Sequence, residues 1–160
     1  MSECEAMVTI RAARLPDDKP VLIGFIDGLQ RYEAEFESDR RLDAAYAEDQ
    51  FAHLMKKAGA IFVAEFGATA VGWISVYVDD APPYVIAAER RRAYVSELFV
   101  ESSARGQGVG RALIAACEDW ARAQGVCVIQ IGHLSANARA AKVYEEAGYG
   151  PYVVLRRKRL

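Results

Sequence analysis

Apolar and polar positions alternate near the start of the chain, Val8, Ile10 and Ala12 against Thr9 and Arg11, which predicts a short strand. Leu15-Pro16-Asp17-Asp18 breaks that period and places an aspartate to cap a helix. Val21, Leu22, Phe25, Ile26, Leu29 and Tyr32 then recur at three- and four-residue spacing, so the helix runs to about Phe36. A second helix is expected over Leu42–Ala58, with Tyr46, Phe51, Leu54 and Met55 inward and Gly59 ending it. Ala60–Glu65 and Ala70–Val78 read as a hairpin joined across Phe66-Gly67-Ala68-Thr69. Asp79–Arg92, with Pro82-Pro83 and no period, reads as a long surface loop. Beyond it come a strand at Ala93–Val100, a helix at Gly108–Gln124 and a strand at Val126–Ile131. A helix at Asn137–Ala147 ends at Gly148, and Tyr152–Arg159 closes the chain with a strand. The order βααβββαβαβ describes one α+β domain, a central sheet covered by helices.

Composition narrows this little further. At 160 residues the chain can bury a core without disulfide or metal staples. Lys and Arg number 20 against 22 Asp and Glu, so no global charge draws it to nucleic acid or an anionic membrane. The longest stretches free of formal charge, Phe66–Val78 and Ala123–Ala138, fall short of a membrane-spanning helix. Met1-Ser2-Glu3-Cys4-Glu5 is acidic, unlike the start of a secretory signal. Cys4, Cys117 and Cys127 are odd in number, the last two in apolar runs, and read as reduced core residues of a cytoplasmic protein.

The chemistry is concentrated after Glu97. A strand, Glu97-Leu98-Phe99-Val100, runs into a loop with glycine at 106, 108 and 110 and then into an amphipathic helix. Val109, Leu113, Cys117, Trp120 and Ala121 form the buried stripe of that helix. Glycines let a ligand approach the backbone, and a helix start offers unpaired N–H groups with partial positive charge. A pyrophosphate suits that geometry, with Arg105 or Arg111 adding charge; a glycine-rich connection without ligand is the plain rival. Gly110 is followed by Arg111-Ala112, so this is no Walker A loop, and Arg111 interrupts the G-x-G-x-x-G of a dinucleotide fold.

What remains is R-x-x-G-x-G, Arg105 to Gly110, and it resembles the acetyl-CoA signature of the GCN5-related N-acetyltransferases. Downstream, Asn137, Ala140, Tyr144-Glu145 and Gly148-Tyr149 resemble the same family's N-x-x-A-x-x-x-Y-E-x-x-G-F/Y helix. The resemblance covers about Val95 to the C-terminus. It implies a single domain over residues 1–160, with a mixed, mostly antiparallel sheet of six to seven strands and about four helices. The strand before the glycine loop would diverge from the next one to open a slot. Leu98 and Val100 would offer backbone groups to pantetheine and the acetyl carbonyl. Backbone N–H groups from Gln107 through Gly108, Val109 and Gly110 to Arg111 would hold the pyrophosphate, beside Arg105 and Gly106. Asn137 and Ala140 would line the far wall.

The implied reaction is direct attack of a neutral amine, on a small molecule or a peptide, upon the thioester of acetyl-CoA, with no metal. An alkyl ammonium has no lone pair, so a base is needed; Glu97, or a water it orients, is the candidate. The carbonyl oxygen gains charge as the amine adds, and an N–H at Phe99 or Val100 would stabilise it. Tyr144 matches the family's acid and would protonate the departing thiolate. The resemblance also implies a homodimer.

Each residue has a plainer reading. Tyr144 could be a core tyrosine, Glu97 a structural carboxylate or a binder of the substrate's ammonium, and Asn137 a helix cap. Strand alternation sets Tyr94 and Ser96 opposite Glu97 unless a bulge intervenes. His133 lies beyond a strand end and could line the cleft; with only His53 besides, no metal site is read. Asp27–Asp49 carries eight acidic residues and could border a cationic acceptor, although amphipathic helices solvate their outer faces this way. Arg156-Arg157-Lys158-Arg159 is too short to argue for nucleic acid. The loop with Tyr84 and Arg90-Arg91-Arg92 could cover the acceptor or meet a second subunit. Three functions stay open: an acetyltransferase, a non-catalytic acyl-CoA-binding module, and an enzyme with a longer acyl donor.

Overall fold

The computed structural model describes residues 7–57 and 59–160. The acidic Met1–Glu5 start, with Cys4, and the expected helix end at Ala58 lie outside the described residues. The chain runs β1 (Val8–Ala12), α1 (Lys19–Glu33), α2 (Tyr46–Met55), β2 (Gly59–Phe66), β3 (Thr69–Asp80), α3 (Ala87–Arg90), β4 (Arg91–Val100), α4 (Val109–Ala123), β5 (Ile129–Ile131) and α5 (Ala138–Glu146). One five-stranded sheet results, in the order β1-β2-β3-β4-β5. Its first four strands pair antiparallel, and β4 pairs parallel with β5.

Two cores sandwich the sheet. On one face Leu113, Ile114, Cys117 and Ala121 of α4 pack on Ala64, Ile74, Val76 and Val95. On the other, Leu22, Phe25 and Ile26 of α1 and Phe51 and Leu54 of α2 pack on Val63, Trp73 and Phe99. The chain between β2 and β3 reverses over two residues, and Gly67 supplies the left-handed backbone (φ +59°) that so tight a hairpin requires.

Several sequence expectations need correction. Tyr152–Arg159 is not a strand: it finds no neighbour in the sheet, so five strands form among the described residues where six to seven were expected. Counting the short α3, helices number five among the described residues. The loop expected over 79–92 is shorter, because both its ends continue the hairpin, with Asp79 opposite Arg92 and Asp80 opposite Arg91. Arg90 folds back onto the carbonyls of Pro83 and Val85, and α3 takes up the end of the remaining connection while residues 81–86 stay irregular. Asp18 does not cap α1, because its carboxylate accepts from Arg11 (2.6 and 2.9 Å) and from the Arg14 amide (2.6 Å). Arg11 holds the Asp18 carboxyl down at about 2, and desolvation opposes it. Met55 is exposed, and so is Cys127, since β5 starts only at Ile129; Cys117 is buried as expected.

Candidate active site

One residue in β4 sets the geometry. Ser75 lies opposite Glu97 and Val76 opposite Val95, so Ser96 is an extra residue, a β-bulge. Ahead of the bulge Ala93 and Val95 face the α4 core; behind it that face is taken by Leu98 and Val100. Phe99 belongs to the opposite core and Glu97 reaches α2. The slip also brings Ser96 to the Glu97 side, where its Oγ lies 2.7 Å from Ser75 Oγ. The sequence carried this signal, because the apolar positions 93, 95, 98 and 100 change phase between 95 and 98.

The parallel pairing covers only Ala93–Val95 against Ile129–Ile131. From Ser96 onward β4 has no neighbour on that side, and a cleft of about 830 Å³ opens there. Glu101 N–H donates to Val71 O (2.8 Å) in β3, and Arg105 Nε donates to Val100 O (2.8 Å) from the other side. Backbone alternation therefore turns Phe99's amide toward β3 and those of Leu98 and Val100 into the cleft. That corrects the expectation of Phe99 as a donor to the carbonyl oxygen.

A 3₁₀ turn at Ser102–Ala104 leads into the glycine loop. Gly106 and Gly108 are left-handed (φ +77° and +79°), conformations that cost other residues free energy. A Cβ at either would meet nothing within 4 Å, so the backbone there borders open space. No side chain caps α4, which leaves the amides of its first turn without intrahelical partners. These features fit a diphosphate. Arg105 is largely committed: besides bonding Val100, its guanidinium stacks over Tyr32 (4.8 Å) and Phe99 (5.6 Å). Arg111 is exposed and touches Glu146 at 3.3 Å.

Leu98, Val100, Gly106, Gly108, Val109, Gly110, Asn137, Ala140, Tyr144 and Glu97 all line the cleft, as do Phe99, Arg105 and Arg111. The Gln107 side chain does not; its Nε2 donates to Ser103 O at 3.0 Å. Asn137 is buried and caps α5, Oδ1 accepting from Ala140 N (3.1 Å) and, across the cleft, from Tyr32 OH (3.5 Å). His133 also borders the cleft, its ring 5.8 Å from that of Tyr144.

Glu97 is the electrostatic centre. Burial pushes its carboxyl up to about 7, with Glu33 adding repulsion and a Gln50 hydrogen bond opposing both. That bond, Gln50 Nε2 to Glu97 Oε1, is 2.6 Å long. Tyr144's phenol is raised well above its ordinary value, chiefly by burial and then by Glu33 and Tyr94, so it keeps its proton. Tyr46 is raised to about 12 by burial and by Glu97. Burial raises Glu33 too; Asp39 adds to that rise, and Arg40, 3.0 Å away, opposes it.

Glu33, Tyr46, Gln50 and Tyr32 are the residues that motif reading missed, all from α1 and α2. The spacing of Tyr46 and Gln50, one helical turn apart, was the available signal. Of the eight acidic residues in 27–49, Glu33 alone lines the cleft; Asp27, Asp43, Glu48 and Asp49 are in exposed ion pairs. No residue of 79–92 reaches the cleft. Among the described residues no cluster of three or more His, Cys, Asp or Glu could hold a metal, and no helix is long and apolar enough to cross a membrane.

No curated protein matches this chain. Solved structures do, each covering nearly all of both chains. The BH1408 protein of Bacillus halodurans, as a tetramutant, superposes with a TM-score of 0.80 at 18% identity, over 95% of this chain and 99% of that one. A GCN5-related N-acetyltransferase from Ralstonia eutropha gives 0.72 at 17%, over 95% and 98%. An aminoglycoside acetyltransferase from an uncultured soil metagenomic sample gives 0.66 at 21%, over 99% of each. At such identities these likenesses speak for the fold. The model of the acetyltransferase (GNAT) family matches residues 17–149, most of the chain and both motifs, and the protein belongs to that family.

Proposed function

We propose that the protein is an N-acetyltransferase that uses acetyl-CoA to acetylate a primary amine on a small molecule or peptide. The observation that carries this is the run from the unpaired end of β4, bearing Glu97, straight into an uncapped helix start through two left-handed glycines. Bound acetyl-CoA would supply an activated acyl group as a thioester. The amides of residues 107–111 would hold its diphosphate, while Leu98 and Val100 present N–H and C=O groups to the arm and the acyl carbonyl. Asn137 closes the opposite wall.

Glu97 takes a proton from the incoming ammonium; with its carboxyl near 7, a useful fraction is ionised at neutral pH. The freed amine forms a C–N bond to the acyl carbon as the C–S bond breaks, and the nitrogen releases its extra proton to solvent. The Val100 or Leu98 amide stabilises negative charge on the carbonyl oxygen. Tyr144, held protonated by its surroundings, gives its proton to the departing sulfur and recovers one from solvent. The products are an amide and a free thiol. Glu33 and Glu97, both lining the cleft, favour a cationic acceptor.

Thiol release from acetyl-CoA, followed across a panel of polyamines, aminoglycosides, amino acids and peptides, tests the proposal. Turnover with at least one class is expected. Coenzyme A binding without turnover for any class would favour the non-catalytic binding module instead.

A further inference from the structure

A second cavity, of about 480 Å³, opens under the C-terminal end of α2. Leu54 and Met55 line it from the helix, Ile61 and Tyr77 from the sheet, and Leu15 from the chain after β1. Ser75 and Tyr77 follow Trp73 at alternate positions of β3, so the cavity lies on the α1–α2 face of the sheet, the side that Glu97 also takes.

Two elements join this cavity to the cleft. The bulged Ser96 lines both. Along α2, Tyr46, Gln50 and Leu54 stand at successive turns of one face: Tyr46 on the cleft, Gln50 on the Glu97 carboxylate, Leu54 on the second cavity. Four helical residues advance about 6 Å, so the second cavity begins one turn from Glu97. A small molecule whose amine is held at Glu97 reaches it.

The lining says what would enter. It is mostly apolar with a few placed polar groups, the composition of a small-molecule site. At its floor Ser75 Oγ and Ser96 Oγ lie 2.7 Å apart. At its rim the exposed Lys57 holds its Nζ 4.1 Å over the Tyr77 ring. Among the described residues Lys57 pairs with no carboxylate, unlike Lys19 and Lys142. A cation so placed beside an apolar hollow attracts an anion carried on an apolar body.

We propose that the second cavity seats the body of the acceptor, and that this acceptor is a primary amine on a short apolar chain or ring ending in a carboxylate. Its ammonium lies at Glu97, where the Ser96 hydroxyl also offers a lone pair. Its apolar part passes Ser96 into the cavity, and its carboxylate meets Lys57. A diamine of the same length brings a second cation to Lys57 and is disfavoured. The inference rests on the acyl-transfer reading for the amine's part as acceptor, and adds its chemical class.

Amines of graded length and ending test it: propylamine, hexylamine, aminohexanoate and diaminohexane, each followed by thiol release from acetyl-CoA. Lengthening propylamine to hexylamine should raise kcat/KM about tenfold through apolar burial. Aminohexanoate should exceed diaminohexane about tenfold, and Lys57→Glu, a change on an exposed side chain, should reverse that order. A second readout needs no turnover. In protein saturated with coenzyme A, aminohexanoate should shift the methyl resonances of Leu54, Met55 and Ile61 saturably, and K57E should weaken that binding about tenfold. Turnover of propylamine with no gain along the series, or an order of endings that K57E leaves unchanged, overturns the inference and spares the acyl-transfer reading. Methyl groups unmoved by aminohexanoate overturn it as well, whatever the turnover. Methyl shifts at these residues without turnover of any amine would support the seat and count against acyl transfer.

Discussion

The wall of the cleft that β4 and α4 build is mostly backbone: Leu98 and Val100 turned inward by alternation, Gly106 and Gly108 left-handed, and the first amides of α4 uncapped. The wall that α1 and α2 build is side chains: Tyr32, Glu33 and Tyr46 on the cleft, with Gln50 holding Glu97 behind it. Backbone groups recognise a diphosphate and an extended arm whatever the acceptor is. Side chains of differing charge and size are what one acceptor sees and another does not. Under the proposed function, the first wall would bind the acyl donor and the second would set which acceptor reaches it.

Substitutions on the two walls should separate accordingly. The largest effect is expected from Glu97→Gln, which leaves coenzyme A affinity within a few-fold and lowers kcat by about a hundredfold or more, measured by thiol release. The same change should stabilise the fold. Glu97's folded value lies above that of an exposed glutamate, so its ionisation costs stability as pH rises from the ordinary glutamate range to about 7, and the cost stays constant above that. E97Q should accordingly melt higher than wild type at pH 8 and show no such gain at pH 4.

Gly108→Val attacks the backbone of the β4–α4 wall instead. A β-branched residue at φ +79° is strained, and relief of that strain misdirects the first amides of α4. Coenzyme A affinity by calorimetry should fall about tenfold to a hundredfold, with loss of turnover following from it. Tyr144→Phe should lower kcat by roughly tenfold to a hundredfold with coenzyme A affinity little changed, because the ring's packing on His133 and Tyr149 survives. A Y144F enzyme of full kcat would make the residue a core tyrosine after all.

Gln50→Leu should give the smallest effect and the sharpest one. Gln50 donates to the ionised carboxylate, so losing it raises Glu97 further. Around that carboxylate stand Glu33 from α1, Tyr46 from α2, and Tyr144 from α5 across the cleft. kcat/KM should rise with pH through about 7 in wild type, and the same limb should lie higher in Q50L. The deficit is then greatest below 7 and closes at alkaline pH. A loss equal at all pH values would assign Gln50 a purely structural part.

The two walls also differ in how legible they were. The glycine loop, α4 and α5 were readable because their constraints are local: positive φ, a helix start, an asparagine cap. α4 was expected at Gly108–Gln124 and forms at Val109–Ala123. The α1–α2 wall depends on contacts distant in sequence, such as Gln50 with Glu97 and Tyr32 with Asn137, which no local period encodes. The Ser96 bulge falls between, its phase change visible in the apolar positions but its consequence needing β3 as a ruler. The terminal segment was misplaced for a different reason. Its composition says strand, but a strand exists only where an edge receives it.

Hydrogen exchange at the amides of residues 106–111, with and without saturating coenzyme A, tests the central claim most directly. The account predicts that these amides become protected when the ligand is added, together with those of Leu98 and Val100. Unchanged exchange across that turn, with no heat on titration, would contradict it.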